Sequence, residues 1–280
     1  MNPLVRAEAL ASRLEDPRWV VFDCRHDLMA PDAGLALYRA SHIPGARFAH
    51  LDRALSGPKD GRGGRHPLPE RDAFVEFLAE AGVNDDSLVV AYDASSGLYA
   101  ARLWWMLRWI GHADVVVLDG GLPAWQAVGL PLTDVVPNPT RGNIVARPSL
   151  TAVVDTADVE ANLATQARLV VDARAPERYR GDVEPLDPVA GHIPQAVNHP
   201  MARSIGADGL FKDAAALRAA FDETLAGRSP GDVVQSCGSG VTACHALLAM
   251  EVAGLPGASL YAGSWSAWVA DPARPVARGD

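Results

Sequence analysis

The stretch DVVQSCGSGVT, residues 232–242, decides the fold of this 280-residue chain. Residues 232–236 form a short β-type run bounded by turn residues, which predicts a buried strand. Apolar residues then recur at helical spacing from 241 to 252, and Gly254 ends the pattern. A strand, a glycine-bearing turn and a helix in direct succession indicate an α/β structure with Cys237 in the turn.

The position of Cys237 favours thiol chemistry. A turn that opens a helix surrounds the sulfur with backbone N–H groups that have no helical acceptor. These donors and the helix dipole stabilise the thiolate, which is the nucleophilic form. Gly238 and Gly240 flank Ser239, and glycine is typical where a backbone curls tightly or approaches a ligand. We therefore predict that Cys237 is a nucleophile. The alternative is a small buried apolar side chain.

The chain repeats its motifs in the same order. The matching pairs are VVFDCR at 20–25 with LVVDAR at 169–174, HIPGA at 42–46 with HIPQA at 192–196, LVVAYD at 88–93 with the strand that ends at Cys237, and GGLPAW at 120–125 with GSWSAW at 263–268. The offset is 150 for the second pair (192 − 42) and 144 for the third (237 − 93). Such a long period predicts a tandem duplication of a whole domain and not a solenoid. Asp93 stands in the first copy where Cys237 stands in the second, so we expect only the second copy to carry the nucleophile.

Within each copy, short apolar strands alternate with helical patterns, as in the helix at 99–110 followed by the strand at 115–118. This alternation predicts an α/β fold of two tandem domains, each a mainly parallel sheet flanked by helices. Prolines among polar residues mark a linker. We place the N-terminal domain at 1–134, the linker at 135–148 and the C-terminal catalytic domain at 149–280.

Composition narrows the class of protein. A hydrophobic content of 49% and a charged content of 21% are typical of a globular, core-forming chain. A formal net charge of −9 argues against nucleic acid or an anionic membrane surface as a partner. The three cysteines, Cys24, Cys237 and Cys244, make no complete disulfide framework and have no metal-ligand spacing. Without an apolar signal segment or a membrane-length run, we expect a cytoplasmic protein.

The duplicated domain, the His-Ile-Pro motif in each half and CGSGVTA at 237–243 together resemble the rhodanese family over essentially the whole chain. Within that family the loop is similar to that of the 3-mercaptopyruvate sulfurtransferases. The resemblance implies that Cys237 takes a sulfane sulfur from a small-molecule donor and becomes a persulfide, which a thiophilic acceptor such as cyanide or a thiol then discharges. It implies ping-pong kinetics and no metal or organic cofactor.

The resemblance also assigns roles to individual residues. It makes Cys237 and Ser239 catalytic, and it makes Arg178 a substrate-binding residue whose planar fork suits a carboxylate. The loop positions that it assigns to substrate binding are Gly238, Gly240, Val241 and Thr242. One position departs from the family pattern. A second substrate arginine is expected shortly after Glu-Pro, and Leu186 stands there instead.

Some family members are described with an Asp–His pair from the first half that assists the loop serine. Asp32 and His42 are the candidates for that pair in this sequence. The histidine motif occurs in both halves, however, and duplication of His42 as His192 favours a structural hydrogen bond. We therefore expect a structural role for both histidines and leave the assisting role of Asp32 and His42 open.

Alternatives to a mercaptopyruvate-specific enzyme remain. Thiosulfate is a second possible donor, and a persulfide carrier that discharges only to a specific protein is a third reading. A cysteine phosphatase would need Cys-x5-Arg, and Ala243 occupies the arginine position, so the sequence argues against that class.

Overall fold

The protein is described here by a computed structural model covering residues 2–61 and 63–280. The chain forms two compact units. The first contains the residues up to 57, together with 69–150 and 207–211, and the second contains 58–68, 151–206 and 212–280. The short segment 58–68 therefore belongs to the unit that carries Cys237, although it lies in the first half of the sequence.

Each unit contains a five-stranded parallel sheet, and the two sheets have the same strand order. In the first unit the order is β1-β5-β4-β2-β3, with β1 Leu4–Val5, β2 Trp19–Asp23, β3 Arg47–Phe48, β4 Leu88–Tyr92 and β5 Val115–Leu118. In the second unit the order is β6-β10-β9-β7-β8, with β6 Ala152–Val154, β7 Leu169–Asp172, β8 Val197–Asn198, β9 Val233–Ser236 and β10 Ser259–Tyr261.

Helices connect the strands of both sheets. In the first unit they are α1 Ala7–Ala11, α2 Ala33–Ala40, α3 Arg71–Glu80, α4 Ala100–Trp109 and α5 Gly121–Ala127. In the second unit they are α6 Thr156–Thr165, α7 Pro176–Arg180, α8 Ala214–Leu225, α9 Thr242–Val252 and α10 Ser264–Trp268, with short 3₁₀ turns at Met201–Ser204 and Pro230–Asp232.

The second sheet is covered on both faces. Alternate strand residues point to opposite sides, so Val170 and Val234 pack with Trp265 and Trp268 in one apolar core. On the other side the Gln235 amide donates a hydrogen bond to the sulfur of Met250 in α9, at 3.2 Å. A sheet covered on both faces needs continuous apolar strands. All four residues of β9 are buried, including the polar Gln235 and Ser236.

The predicted α/β fold with two similar parallel sheets is confirmed. The strand expected at 232–236 is β9, the helix expected from 241 is α9, and the strand at 115–118 is β5. Within the described part of the chain, none of the helices has the length and apolar character needed to cross a membrane.

Candidate active site

Cys237 follows the central strand β9 and precedes helix α9, at the carboxyl edge of the second sheet. Its N–H donates to the Oγ of Ser264 at 3.0 Å, and its carbonyl accepts from the N–H of Trp265 at 2.9 Å. The Ser264 hydroxyl donates in turn to the carbonyl of Tyr261 at 2.8 Å. These bonds fix the start of the loop on the first residues of α10.

The two glycines of the loop occupy crowded positions. Gly240 has φ +77°, and a Cβ there would lie 2.3 Å from the carbonyl oxygen of Ala262. A Cβ on Gly238 would lie 2.9 Å from Nη2 of Arg65 and 3.5 Å from Nη1 of Arg178. Gly240 therefore allows the loop backbone to approach the backbone of Ala262 closely. Gly238 leaves room for two guanidinium groups beside Cys237.

The loop ends on the first turn of α9. Val241 is buried and precedes the helix, and Thr242 is its first residue. The first N–H groups of a helix have no intrahelical acceptor and carry a partial positive charge, so they stabilise an anion placed before them. The side chain of Cys237 is itself only 1% exposed. The arrangement suits a thiolate or a persulfide anion shielded from water.

Ser239 has a partner that the sequence reasoning missed. Its Oγ lies 2.7 Å from Nδ1 of His66, and both side chains are buried. His66 belongs to segment 58–68, which is 173 residues away along the sequence (239 − 66). A serine hydroxyl bonded to an imidazole can relay a proton to or from a substrate atom near Cys237.

Asp32 and His42, the pair considered from the sequence, do not interact with each other through the hydrogen bonds of the structure. Asp32 bonds to Nε2 of His50 at 3.3 Å and to Arg53 at 2.6 Å. His42 bonds through Nδ1 to the carbonyl of Tyr38 at 2.7 Å. His192 makes the equivalent bond to the carbonyl of Tyr179 at 2.8 Å. The expectation that the duplicated histidines form structural hydrogen bonds is confirmed.

Arg178 lies beside Gly238 and is paired with two carboxylates. It bonds to Glu184 at 2.6 Å and to Asp187 at 3.4 Å. Burial alone would raise the pKa of Glu184, but the hydrogen bonds from Arg178 and from the N–H of Leu186 hold that pKa below its usual value. Leu186 thus supports Glu184 through its backbone and brings no charge of its own.

Asp187 also forms an ion pair with Arg65, so one carboxylate joins the two arginines that border Gly238. The Asp187 side chain is 3% exposed, and burial raises the pKa of its carboxyl group. The backbone N–H of Arg65 donates to Oγ of Ser266 at 3.0 Å, which anchors segment 58–68 near the loop.

Arg174 is more deeply buried than the two arginines beside Gly238, with a side chain that is 2% exposed. It bonds to Asp172 at 2.7 Å and lies 4.9 Å from the ring centre of Trp265. Burial lowers the pKa of Arg174, but the negative charges of Asp172, Glu184 and Cys237 outweigh it and raise the pKa overall. Arg174 therefore contributes a permanent positive charge to the surroundings of Cys237.

The loop of the first unit contains a carboxylate instead of a thiol. Asp93 is fully buried, and its two oxygens accept hydrogen bonds from the N–H groups of Ser95, Gly97, Tyr99 and Ala100 at 2.7–3.0 Å. Burial raises the pKa of Asp93, while these four N–H groups act in the opposite direction. The duplicated loop is thus a cradle for an anionic side chain in the first unit as well.

The other two cysteines, Cys24 and Cys244, are also buried. All three are free thiols. Burial, together with the charges of Asp93 and Asp23, raises the pKa of Cys24 well above its usual value. The Sγ of Cys244, in the first turn of α9, donates to the carbonyl of Gly240 at 3.2 Å. Among the described residues, the side-chain group able to hold a metal ion is His26, His50 and Asp52 in the first unit, which shares no residue with the Cys237 loop.

The fold and the loop together define the class: a duplicated α/β protein with a cysteine at the carboxyl edge of its second sheet. Comparison with known proteins gives the family. The rhodanese-like domain matches residues 6–128 and 155–271. The chain belongs to the rhodanese-like domain family.

Individual relatives extend over nearly the full length. A Pseudomonas aeruginosa protein named "Probable 3-mercaptopyruvate sulfurtransferase" is 47% identical over 279 residues, covering 99% of this chain and 98% of the relative. The mouse thiosulfate sulfurtransferase is 34% identical, covering 86% of this chain and 82% of the relative. The crystal structure of Escherichia coli SseA, described as a 3-mercaptopyruvate sulfotransferase, superposes with a TM-score of 0.82 at 34% identity and covers 95% of this chain and 100% of that chain.

Proposed function

We propose that this protein is a sulfurtransferase that moves a sulfur atom from 3-mercaptopyruvate to a thiophilic acceptor, cyanide or a thiol, through a persulfide on Cys237. The observation that carries the proposal is the loop itself. Cys237 lies at the start of α9, with the Ser239–His66 hydrogen bond on the same loop and Arg178 beside Gly238. Relatives named for sulfur transfer support the same activity.

The first half-reaction forms one S–S bond and breaks one C–S bond. The thiolate of Cys237 attacks the sulfur of 3-mercaptopyruvate, and the electron pair of the C–S bond passes to C3. The resulting enolate of pyruvate takes up the proton that the donor thiol releases, so the products are pyruvate and the persulfide anion. Ser239, bonded to His66, is placed to move that proton and to donate a hydrogen bond to the developing enolate oxygen.

The second half-reaction returns the enzyme to its starting state. The acceptor attacks the outer sulfur of the persulfide, and the S–S electron pair returns to Cys237 as a thiolate. With cyanide the product is thiocyanate. The helix N-terminus stabilises the anion on the loop in both halves of the cycle, which makes this covalent catalysis in two steps.

Thiosulfate is the second candidate donor, and one observation favours it. Two guanidinium groups, those of Arg65 and Arg178, border Gly238, and a dianion is suited to such a site. A sequence without charge at Gly238 and Ser239 therefore does not exclude thiosulfate. Initial rates with 3-mercaptopyruvate and thiosulfate at equal concentration decide between the two donors, and we expect the higher kcat/KM with 3-mercaptopyruvate.

Replacement of the nucleophile tests the mechanism directly. We expect Cys237→Ser to lower thiocyanate formation at least about a thousandfold, because the hydroxyl is a far weaker nucleophile and the other two cysteines, Cys24 and Cys244, are buried away from the loop entrance. The matched control is Cys24→Ala, since Ala173 occupies the corresponding position in the other repeat. Cys24→Ala should keep wild-type turnover.

Mass spectrometry separates an enzyme from a carrier. Wild-type protein incubated with donor alone should gain the mass of one sulfur atom and lose it when cyanide is added. Turnover retained in Cys237→Ser would overturn the mechanism. A persulfide that forms but discharges neither to cyanide nor to small thiols would favour a carrier with a protein acceptor.

We keep the sequence-based boundaries as part of the proposal: an N-terminal domain at 1–134 without the nucleophile, a linker at 135–148 and a catalytic domain at 149–280. We also propose a cytoplasmic location, which the three free cysteines support because a reducing compartment preserves thiols.

A further inference from the structure

We propose that Arg65 is a donor-binding residue that forms, with Arg178, a pair of guanidinium groups for the carboxylate of the sulfur donor. The inference rests on the proposed function and extends it. Arg65 was not a candidate from the sequence, and it lies in segment 58–68, outside regular secondary structure.

The two guanidinium groups converge on one point. A Cβ atom placed on Gly238 would lie 2.9 Å from Nη2 of Arg65. It would lie 3.5 and 3.6 Å from Nη1 and Nη2 of Arg178. Residue 238 directly follows Cys237, so both cations lie next to the reacting cysteine. A cationic side chain at position 238 itself would collide with them.

The pattern of hydrogen bonds leaves donors available at that point. The ion pairs of Arg65 and Arg178 with described residues use Nη1 of Arg65 and Nε and Nη2 of Arg178. Nη2 of Arg65 and Nη1 of Arg178, the atoms closest to Gly238, take no part in these pairs. Two N–H donors from two different arginines can each bond one oxygen of a carboxylate.

Asp187 holds the two arginines in place. Its buried carboxylate pairs with Arg65 on one side and Arg178 on the other. The side chains of Arg65 and Arg178 remain 26% and 18% exposed, so a small anion reaches them. The rigid carboxylate between them fixes their spacing before the donor arrives, which lowers the entropy lost on binding.

This assignment accounts for Leu186. The resemblance leads to a second arginine at that position, and the chain has none there. Arg65 supplies the second guanidinium from a different segment of the same unit. A donor with a carboxylate remote from its sulfur fits this pair, because the carboxylate rests at Gly238 while the sulfur faces Cys237.

The test compares 3-mercaptopyruvate with its methyl ester, which has the same sulfur and ketone but no carboxylate charge. We expect Arg65→Gln to raise KM for the acid about tenfold or more with kcat changed little, because one charge-assisted contact is lost. The kcat/KM for the ester should change less than threefold, so the preference for the acid over the ester should shrink about tenfold.

Two further variants control for indirect effects. Arg65→Gln leaves Asp187 with one cation fewer, and the double variant Arg65→Gln/Asp187→Asn restores the charge balance. The double variant should retain the reduced preference for the acid. Arg218→Gln removes an exposed arginine that pairs with Asp222 on α8, and it should leave both substrates unaffected.

The outcomes separate this inference from the proposed function. Wild-type protein that fails to use 3-mercaptopyruvate would overturn both. Wild-type turnover together with an unchanged acid-to-ester ratio in Arg65→Gln and in the double variant would overturn the role of Arg65 alone. An equal loss with both substrates would assign Arg65 a structural role and also overturn the inference.

Discussion

At the scale of single residues, the hydrogen bond between Ser239 and His66 links the catalytic loop to segment 58–68. The hydroxyl lies two positions after Cys237, and the imidazole fixes its direction. A neutral imidazole nitrogen can accept the hydroxyl proton as the hydroxyl takes up the proton that the donor thiol releases, and the same path in reverse can deliver that proton to the enolate. We therefore expect the pair to act as one unit in the proposed donor half-reaction.

We expect Ser239→Ala and His66→Gln each to lower kcat with 3-mercaptopyruvate, on the order of a hundredfold, because proton transfer to the enolate loses its relay. The double variant should be no slower than the worse single variant, since residues of one relay are not additive. The discharge of a preformed persulfide by cyanide should change little, and stopped-flow measurement of that step is the control. Multiplicative losses in the double variant would contradict the relay.

The sequence allowed some of these residues to be predicted and not others. Cys237 was identifiable because its glycine turn lies between a strand and a helix. His66 and Arg65 were not, because they lie in a segment without regular structure whose contacts with Ser239, Asp187 and Ser266 are distant along the chain. The sequence did contain one signal of this segment. The offset between the two copies falls from 150 at the His-Ile-Pro motif to 144 at the next strand, so the first copy has six more residues (150 − 144) in that interval, which includes 58–68.

At the scale of elements, the loops after β4 and β9 have corresponding backbone hydrogen bonds and differ in the side chain they surround. The carbonyl of Asp93 accepts from the N–H of Leu122 at 2.8 Å, as that of Cys237 accepts from Trp265 at 2.9 Å. The Asp93 carboxylate oxygen is two bonds beyond Cβ, and the outer sulfur of a Cys237 persulfide would be at the same remove. The first unit thus encloses a carboxyl group, and on the proposed mechanism the second unit leaves that position for transferable sulfur.

Substitution of the two glycines near the ends of α9 tests whether activity depends on the geometry of the Cys237 loop. Gly240 has φ +77° and Gly254 has φ +71°, but only at Gly240 does a Cβ meet backbone, at 2.3 Å from the carbonyl oxygen of Ala262. We expect Gly254→Ala to cost about 1 kcal/mol of unfolding free energy, the strain of a left-handed residue, and to keep full activity. Gly240→Ala should cost more and also displace the loop, with kcat/KM reduced on the order of a hundredfold.

Urea unfolding and steady-state rates of the two variants measure both quantities. Because the backbone strain is common to the two glycines, the difference between the variants isolates the contact with Ala262. Equal activity in Gly240→Ala and Gly254→Ala would mean that the loop tolerates displacement and that the position of Cys237 is not limiting.

At the scale of the whole molecule, the duplication made the fold predictable. Matching motifs placed strands such as 20–25 and 169–174 at corresponding points, and the two sheets indeed have one strand order. The compact units are not contiguous in sequence, however, since 58–68 belongs to the second and 207–211 to the first. Local patterns of hydrophobicity do not reveal that a short segment belongs to the other unit, because that assignment depends on contacts between segments distant in the sequence.

Acid stability is a property of the whole chain to which one buried group, His199, should contribute. His199 stacks on Phe221 at 4.2 Å between ring centres and shares a hydrogen bond with Thr224 at 2.7 Å. Its Nε2 is buried and has no hydrogen-bond partner among the described residues. Burial, reinforced by the positive charges of Arg203 and Lys212 against the opposing charge of Glu223, lowers the pKa of His199 to about 4.

The direction of the pH dependence follows from that pKa. The imidazole of an unfolded chain has a pKa of about 6.5, so between pH 6.5 and 4 the unfolded state binds more protons than the folded state. The contribution of His199 is therefore complete above about pH 6.5 and is lost as pH falls toward 4, a total of about 3 kcal/mol.

We expect His199→Gln to lose less unfolding free energy than the wild type over this interval. Urea unfolding at intervals of half a pH unit measures both slopes, and the carboxylates common to the two proteins cancel in the comparison. If the unfolding free energies of the two proteins fall with equal slope, His199 binds its proton equally well in the folded and unfolded states, which would contradict the prediction.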